Sequence, residues 1–211
     1  MQENSWQIYK FGGSSLNDSD CILNVCNLIK ENSSQNLIVV VSAMAGVTDQ
    51  LVDYSESRNQ SILEEIEDRY RLTITETIQE ESIHEALLDE FSNDLKIIKE
   101  LAESYSEESI KTEGNQILGF GEIWSSRLIQ GALSQSEEID LNQRDVHLLN
   151  PLEIITLCQT EMGVNVDWGE STKCFTKSLS DKGGIFIMAG FIAMGSDSIA
   201  TNLGRNGSDY S

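Results

Sequence analysis

Residues 6–16 read WQIYKFGGSSL and join a strand directly to a turn. Trp6 to Phe11 have strand character, and Gly12, Gly13, Ser14 and Ser15 follow without a break. The last strand residue but one is Lys10, so the strand delivers a cation to a turn with almost no side chains. Residues 19–34, SDCILNVCNLIKENSS, place Ile22, Leu23, Val25, Cys26, Leu28 and Ile29 at helical spacing, and Asn-Ser-Ser is a stop signal. Residues 36–44, NLIVVVSAM, are a continuous β-branched run, the pattern of a strand buried on both faces of a parallel sheet. Strand, helix and buried strand predict a right-handed βαβ unit, and so an α/β fold class. Open sheets of this kind bind ligands beyond the carboxyl ends of their strands. Glycines there let backbone N–H groups approach a ligand, and a following helix N-terminus favours an anion. Lys10 is therefore expected at that edge, beside space for an anion.

Working outward, residues from about 48 to 112 are rich in Glu, Ile and Leu. Their periodicity predicts a helix after Thr48 and longer ones near 60–79 and 82–104, an excursion packed on the sheet or presented as a dimer or lid surface. Residues 115–134 predict a further helix, 139–149 one or two short strands, and Pro151 the start of the next element. Residues 170–181 read as a short amphipathic helix and 183–194, GGIFIMAGFIAM, as another buried strand. SIATNLGRNGSDYS, residues 198–211, reads as a hairpin strand, a glycine turn and the first turn of a helix.

Composition narrows the function. The chain has 211 residues, enough for one large domain, and a formal charge of -21. So negative a surface argues against nucleic acid and against anionic membranes as partners. The sequence shows no signal peptide and no spanning segment, which points to the cytoplasm. The four cysteines, Cys21, Cys26, Cys158 and Cys174, form no C-x-x-C pair and read as core thiols. His84 and His147 are isolated, so no metal ligand is assigned.

Strand-to-turn junctions recur at YKFGGSS, VVVSAMAGVT and FIMAGF, and LGRNGSDYS adds another glycine turn. None is a G-x-x-x-x-G-K-[ST] loop or a G-x-G-x-x-G turn. Any one of them alone is an ordinary turn. Together, with lone basic residues at Lys10 and Arg205 in an acidic chain, they suggest one converging anion site.

In this order and spacing the motifs resemble the aspartokinases of the amino-acid kinase family. YKFGGSSL is similar to the signature K-F-G-G-[TS]-S, and VVVSAMAGVTDQL to V-V-S-A-x-x-G-V-T-x-x-L. GFGEIWSSRL, MAGFIA and LGRNGSDYS match the later family motifs. The resemblance implies a three-layer fold with a parallel-rich central sheet, with 1–211 the N-terminal, amino-acid-substrate part. It implies transfer of the γ-phosphoryl group of ATP to the β-carboxylate of L-aspartate, with Mg2+, the first step toward lysine, threonine and methionine. Lys10 would sit on the phosphates, and Gly12, Gly13 and Ser14 would line their path. Ser42 and Thr48 would contact aspartate, Glu122 would take its α-ammonium, and Arg205 would grip a carboxylate. Asp209 would organise the site, and Ser208 would donate at a helix start. Phosphoryl transfer asks mainly for positioning and charge stabilisation, and a carboxylate nucleophile needs no strong base.

Blander readings stand beside these. Glu122 alone would be a surface helix residue, Thr48 a helix cap, and Arg205 and Asp209 a turn residue and a helix-start acid. The sequence stops at Ser211, in the first turn after GRNGSD, whereas the family continues into the nucleotide half and regulatory domains. The expectation is therefore a fold incomplete at its C-terminus, with exposed apolar surface and little activity by itself. GEIWSSRL and GRNGSD lean toward the enzymes fused to homoserine dehydrogenase, and a homo-oligomer is expected of the full-length enzyme. The rival readings are another amino-acid kinase and a noncatalytic remnant that binds an amino acid or a partner.

Overall fold

The structure, a computed structural model, describes residues 6–32, 36–105, 115–135, 145–160, 163–179, 183–195 and 200–202. β1 (Trp6–Phe11) leads through a 3-10 turn (Gly13–Leu16) to α1 (Ser19–Glu31) and β2 (Asn36–Val41). The helical stretch follows as α2 (Val47–Ser57), α3 (Gln60–Thr77) and α4 (Glu81–Ser104). Then come α5 (Asn115–Leu118), α6 (Phe120–Ser134), β3 (Val146–Leu149) and α7 (Pro151–Ile154). β4 (Leu157–Thr160), β5 (Gly163–Val166), α8 (Trp168–Leu179), β6 (Ile185–Ala189), β7 (Ile192–Met194) and β8 (Ala200–Asn202) complete the described elements.

The central sheet has the order β1-β2-β6-β3, every described pairing parallel, with Lys10 opposite Val40 and Val41 opposite Ala189. β2 and β6 are the inner strands, and this is why both read as unbroken apolar runs. Their alternate residues serve two cores. Leu37, Val39, Val41, Ile185 and Ile187 pack with Ile22 and Ile29 of α1, Leu51 of α2, Ile66 and Tyr70 of α3, Ile98 of α4 and Trp124 of α6. Ile38, Val40, Phe186 and Met188 face the other way, toward Leu149, Ile154, Ile155 and Leu157, with Phe175 and Leu179 of α8 at the margin. Each buried Val, Leu or Ile contributes roughly 1.5–3 kcal/mol, so β2 alone anchors both layers.

Several expectations need adjusting. The helix expected over 115–134 is broken at Gly119, where Ile192 packs so closely that a Cβ would lie 3.0 Å from its Cγ1. The strand expected over 183–194 is two strands, turned at Phe191, whose φ is 70°. The sequence pattern does not announce the antiparallel pair β4–β5, because four-residue strands carry little periodicity and lean on the second core through Leu157 and Val166. α8 begins earlier than its pattern suggests, because Asp167 accepts from the Glu170 N–H and starts it. β8 pairs antiparallel with β7, in keeping with the hairpin reading; the glycine turn and helix start expected after it lie outside the described residues. The cysteines are free, and only Cys26 is fully buried, its thiol pushed up to about 12 by that burial.

Candidate functional site

The carboxyl ends of β1, β2 and β6 lie side by side, so the turns that follow them are forced together. The Ser42 N–H donates to the Phe11 carbonyl at 3.1 Å, and the Gly190 N–H to the Val41 carbonyl at 2.9 Å. Lys10 is exposed one residue before the end of β1. Beyond it a Cβ at Gly12 would meet nothing within 4 Å, so this glycine borders open space. Gly13 is different: a Cβ there would lie 2.9 Å from the Ala43 carbonyl oxygen and 3.3 Å from the Ala45 Cα. Only a residue without a side chain lets the two turns approach this closely. Ser14 is exposed, and the Ser15 N–H closes the turn on the Gly12 carbonyl at 2.9 Å.

One expectation about this turn fails. The helix after it does not offer its N-terminus to an anion, because Asp18 occupies it and accepts from the Cys21 N–H at 2.9 Å. That main-chain donor, first among the causes, holds the Asp18 carboxyl below its usual range. α2 differs, since Gly46 caps it with no side-chain hydrogen bond. Thr48, half-buried, is thus within the first turn of α2 and is not its cap. Ser42 is half-buried on the same turn.

The third wall is the start of α6. Gly121 fits against the β2 turn because a Cβ at that position would sit 2.6 Å from the Ala43 Cβ. This contact draws the next residue, Glu122, inside, where it is 4 % exposed. The surface-residue reading of Glu122 is therefore wrong. Burial pushes its carboxyl up to about 8, against weaker main-chain hydrogen bonds from Ala43 and from its own N–H. Its Oε2 is buried without a hydrogen-bond partner. An acid in this state is poised for a cationic partner, since burying a carboxylate is costly until it is paired. The Tyr70 hydroxyl donates to the Gly121 carbonyl at 3.2 Å, and the Ser125 hydroxyl to the same oxygen at 3.1 Å. Sequence motifs give no hint of Tyr70, which comes from α3.

Lys10, Gly12, Gly13, Ser14, Ser42 and Thr48 thus lie at or just beyond the carboxyl ends of β1 and β2, and Glu122 at the start of α6, which packs on the turn after β2. Arg205, Ser208 and Asp209 lie outside the described residues. Among the described residues no group of three or more His, Cys, Asp or Glu converges to hold a metal ion. None of the helices among them is long and apolar enough to cross a membrane.

A parallel α/β sheet with apposed glycine turns and a buried acid at its carboxyl edge defines an open α/β protein, a class in which the strand ends are the candidate ligand site. The chain belongs to the amino acid kinase family, whose model matches residues 5–211. It is 30% identical over 217 residues to the chloroplastic bifunctional aspartokinase/homoserine dehydrogenase 2 of Arabidopsis thaliana, covering 98% of this chain and 23% of that protein. It is 30% identical over 220 residues to the aspartokinase of Chlamydia trachomatis, covering 100% of this chain and 45% of that one. The crystal structure of E. coli aspartokinase III in complex with aspartate and ADP superposes with a TM-score of 0.79 at 21% identity, over 96% of this chain and 44% of that chain. The chain therefore spans between about a quarter and less than half of these relatives.

Proposed function

We propose that this chain carries the amino-acid and phosphate-binding part of an aspartate kinase, an enzyme that moves the γ-phosphoryl group of ATP to the β-carboxylate of L-aspartate. The observation that carries the reading is Glu122, a buried acid with an unpartnered oxygen beside the β2 turn. The α-ammonium of aspartate is the partner such an acid lacks. Ser42, on the turn that Gly121 touches, and Thr48, in the first turn of α2, would hold the rest of the amino acid. Gly12 borders open space next to Lys10, which suits phosphate oxygens approached by a cation and by backbone N–H groups. Arg205, Ser208 and Asp209 would add a carboxylate clamp and organise the donors, as the aspartokinase motif implies.

Mg2+ would neutralise phosphate charge when it arrives with the nucleotide, and the described residues offer it no cradle of their own. The work left to the side chains and turns of this chain is to bind, to orient and to compensate charge. The attacking carboxylate is already ionised at neutral pH, so no base need be supplied. Homo-oligomerisation and a cytoplasmic location are part of this reading of the whole enzyme.

Titration calorimetry with L-aspartate and with L-glutamate is the test. Near pH 7 Glu122 is largely protonated, so pairing with the incoming ammonium should release a proton. Aspartate binding should accordingly show a heat that depends on the ionisation enthalpy of the buffer, and Glu122→Gln should weaken binding by about tenfold or more. Equal affinity for glutamate, or binding unaffected by Glu122→Gln, rejects the assignment.

A further inference from the structure

Arg69 lies on α3, outside every motif that marks the site, yet its guanidinium reaches two of the turns that build it. Nη1 donates to the Ala45 carbonyl at 2.8 Å. Nη2 donates to the Asn17 carbonyl at 2.8 Å and to Asn17 Oδ1 at 3.0 Å. Ala45 belongs to the turn after β2, and Asn17 follows the 3-10 turn after β1. These turns also meet where Gly13 abuts Ala43, a contact with no room for a methyl group. Sterics limit how near they come, and the Arg69 guanidinium limits how far apart they drift. A planar fork with fixed donors can hold two carbonyls at once, and a lysine ammonium on its flexible stem is a poor substitute. α3 secures the same region further along, where the Ser19 hydroxyl donates to Glu76 at 2.6 Å.

We propose that Arg69 is a positioning residue that locks the β1 and β2 turns into one unit, so that the turn carrying Gly12 to Ser14 and the turn carrying Ser42, which leads into Thr48 of α2, order together. The aspartate-kinase reading supplies what each turn holds; the coupling itself stands on the hydrogen bonds. Ligand engaged at one turn would then stiffen the other, which helps align two anions for transfer.

Hydrogen exchange by NMR on the full chain tests this with Arg69→Ala and Arg69→Lys. The amides to follow are Ser15, bonded to Gly12, and Val47, bonded to Met44, with Leu95 and Ile98 of α4 as internal references. Arg69→Ala should speed exchange at both turns by about tenfold or more while α4 changes by less than about twofold. Arg69→Lys should recover little of the protection, and millimolar methylguanidinium should slow exchange again in Arg69→Ala. In the wild-type protein L-aspartate should slow exchange at Ser15 as well as Val47, and Arg69→Ala should lose the effect at Ser15. Unchanged exchange at either turn overturns the proposal. So does a uniform rise that includes α4, the mark of a merely structural residue. A wild-type chain that fails to bind aspartate counts against the aspartate-kinase reading, while the exchange rates in Arg69→Ala still decide the coupling.

Discussion

Burial sets the behaviour of Glu122. Its carboxyl is pushed up from the ordinary 4.5 to about 8, so the folded state holds its proton more tightly than the unfolded chain. The resulting stabilisation is full below pH about 4.5 and is lost as pH rises through about 8. Urea denaturation of the wild-type protein should show stability falling between about pH 5 and 9, and Glu122→Gln should flatten that slope, a gap of about 2 kcal/mol or more by pH 9. Coincident wild-type and variant profiles would sink this account. The glycines make a second residue-level test. Gly13→Ala and Gly121→Ala force a methyl group into Ala43 and should each cost about 1–3 kcal/mol by thermal melting. Gly12→Ala meets no atom within 4 Å and should change stability by less than about 0.5 kcal/mol. On the proposed function the Gly12 variant should nonetheless bind nucleotide more weakly, since its methyl group would enter the phosphate path.

At the scale of elements, α6 carries Glu122 and must be held in place by its neighbours. Trp124 of α6 stacks edge-on against Tyr70 of α3 and Phe91 of α4, with ring centroids 5.0 and 4.7 Å away. Asp94 of α4 is buried and accepts from the Trp124 Nε1–H at 2.9 Å and from Arg127 Nη1–H. Glu90 adds a second carboxylate to Arg127 at 3.1 Å. Removing Asp94 leaves the buried Trp124 N–H without its acceptor, while Arg127 keeps Glu90. Asp94→Ala should therefore cost about 1–3 kcal/mol by urea denaturation, and Asp94→Asn, which keeps an acceptor for the indole, distinctly less. An Asp94→Ala variant as stable as the parent would mean that α4 and α6 are held by apolar packing alone.

Across the whole molecule the charge of -21 works against compactness and against anionic ligands. Raising sodium chloride from about 20 to 300 mM should raise the melting temperature by several degrees, because like charges are screened. A flat or falling response would show that local ion pairs outweigh the net field. The second sheet face carries a groove of about 330 Å³ lined by Ile8, Ile38, Val40, Trp168, Phe175 and Met188. Ile8 and Trp168 are 66% and 63% exposed there, and β1 is one of the two edge strands of the described sheet.

Local chemistry carried much of the fold into view. The β-branched run of β2, the glycine turn after β1 and the spacing of α1 each register in a few neighbouring residues, so the parallel βαβ core was legible. So was the family, through motifs at the turns. The sequence alone did not fix where those motifs would meet, because meeting depends on strand order. The strand order sets the Gly13 turn against the Ala43 turn, and α6, packed on the latter through Gly121, carries Glu122 into the interior. Likewise Arg69 and Tyr70 sit in an undistinguished helical stretch, and packing of α3 against the turns gives them partners dozens of residues away. Periodicity and turn composition act over a few residues and are written in the sequence; burial, and with it the proton affinity of a carboxyl, is a property of neighbours that only the folded chain supplies.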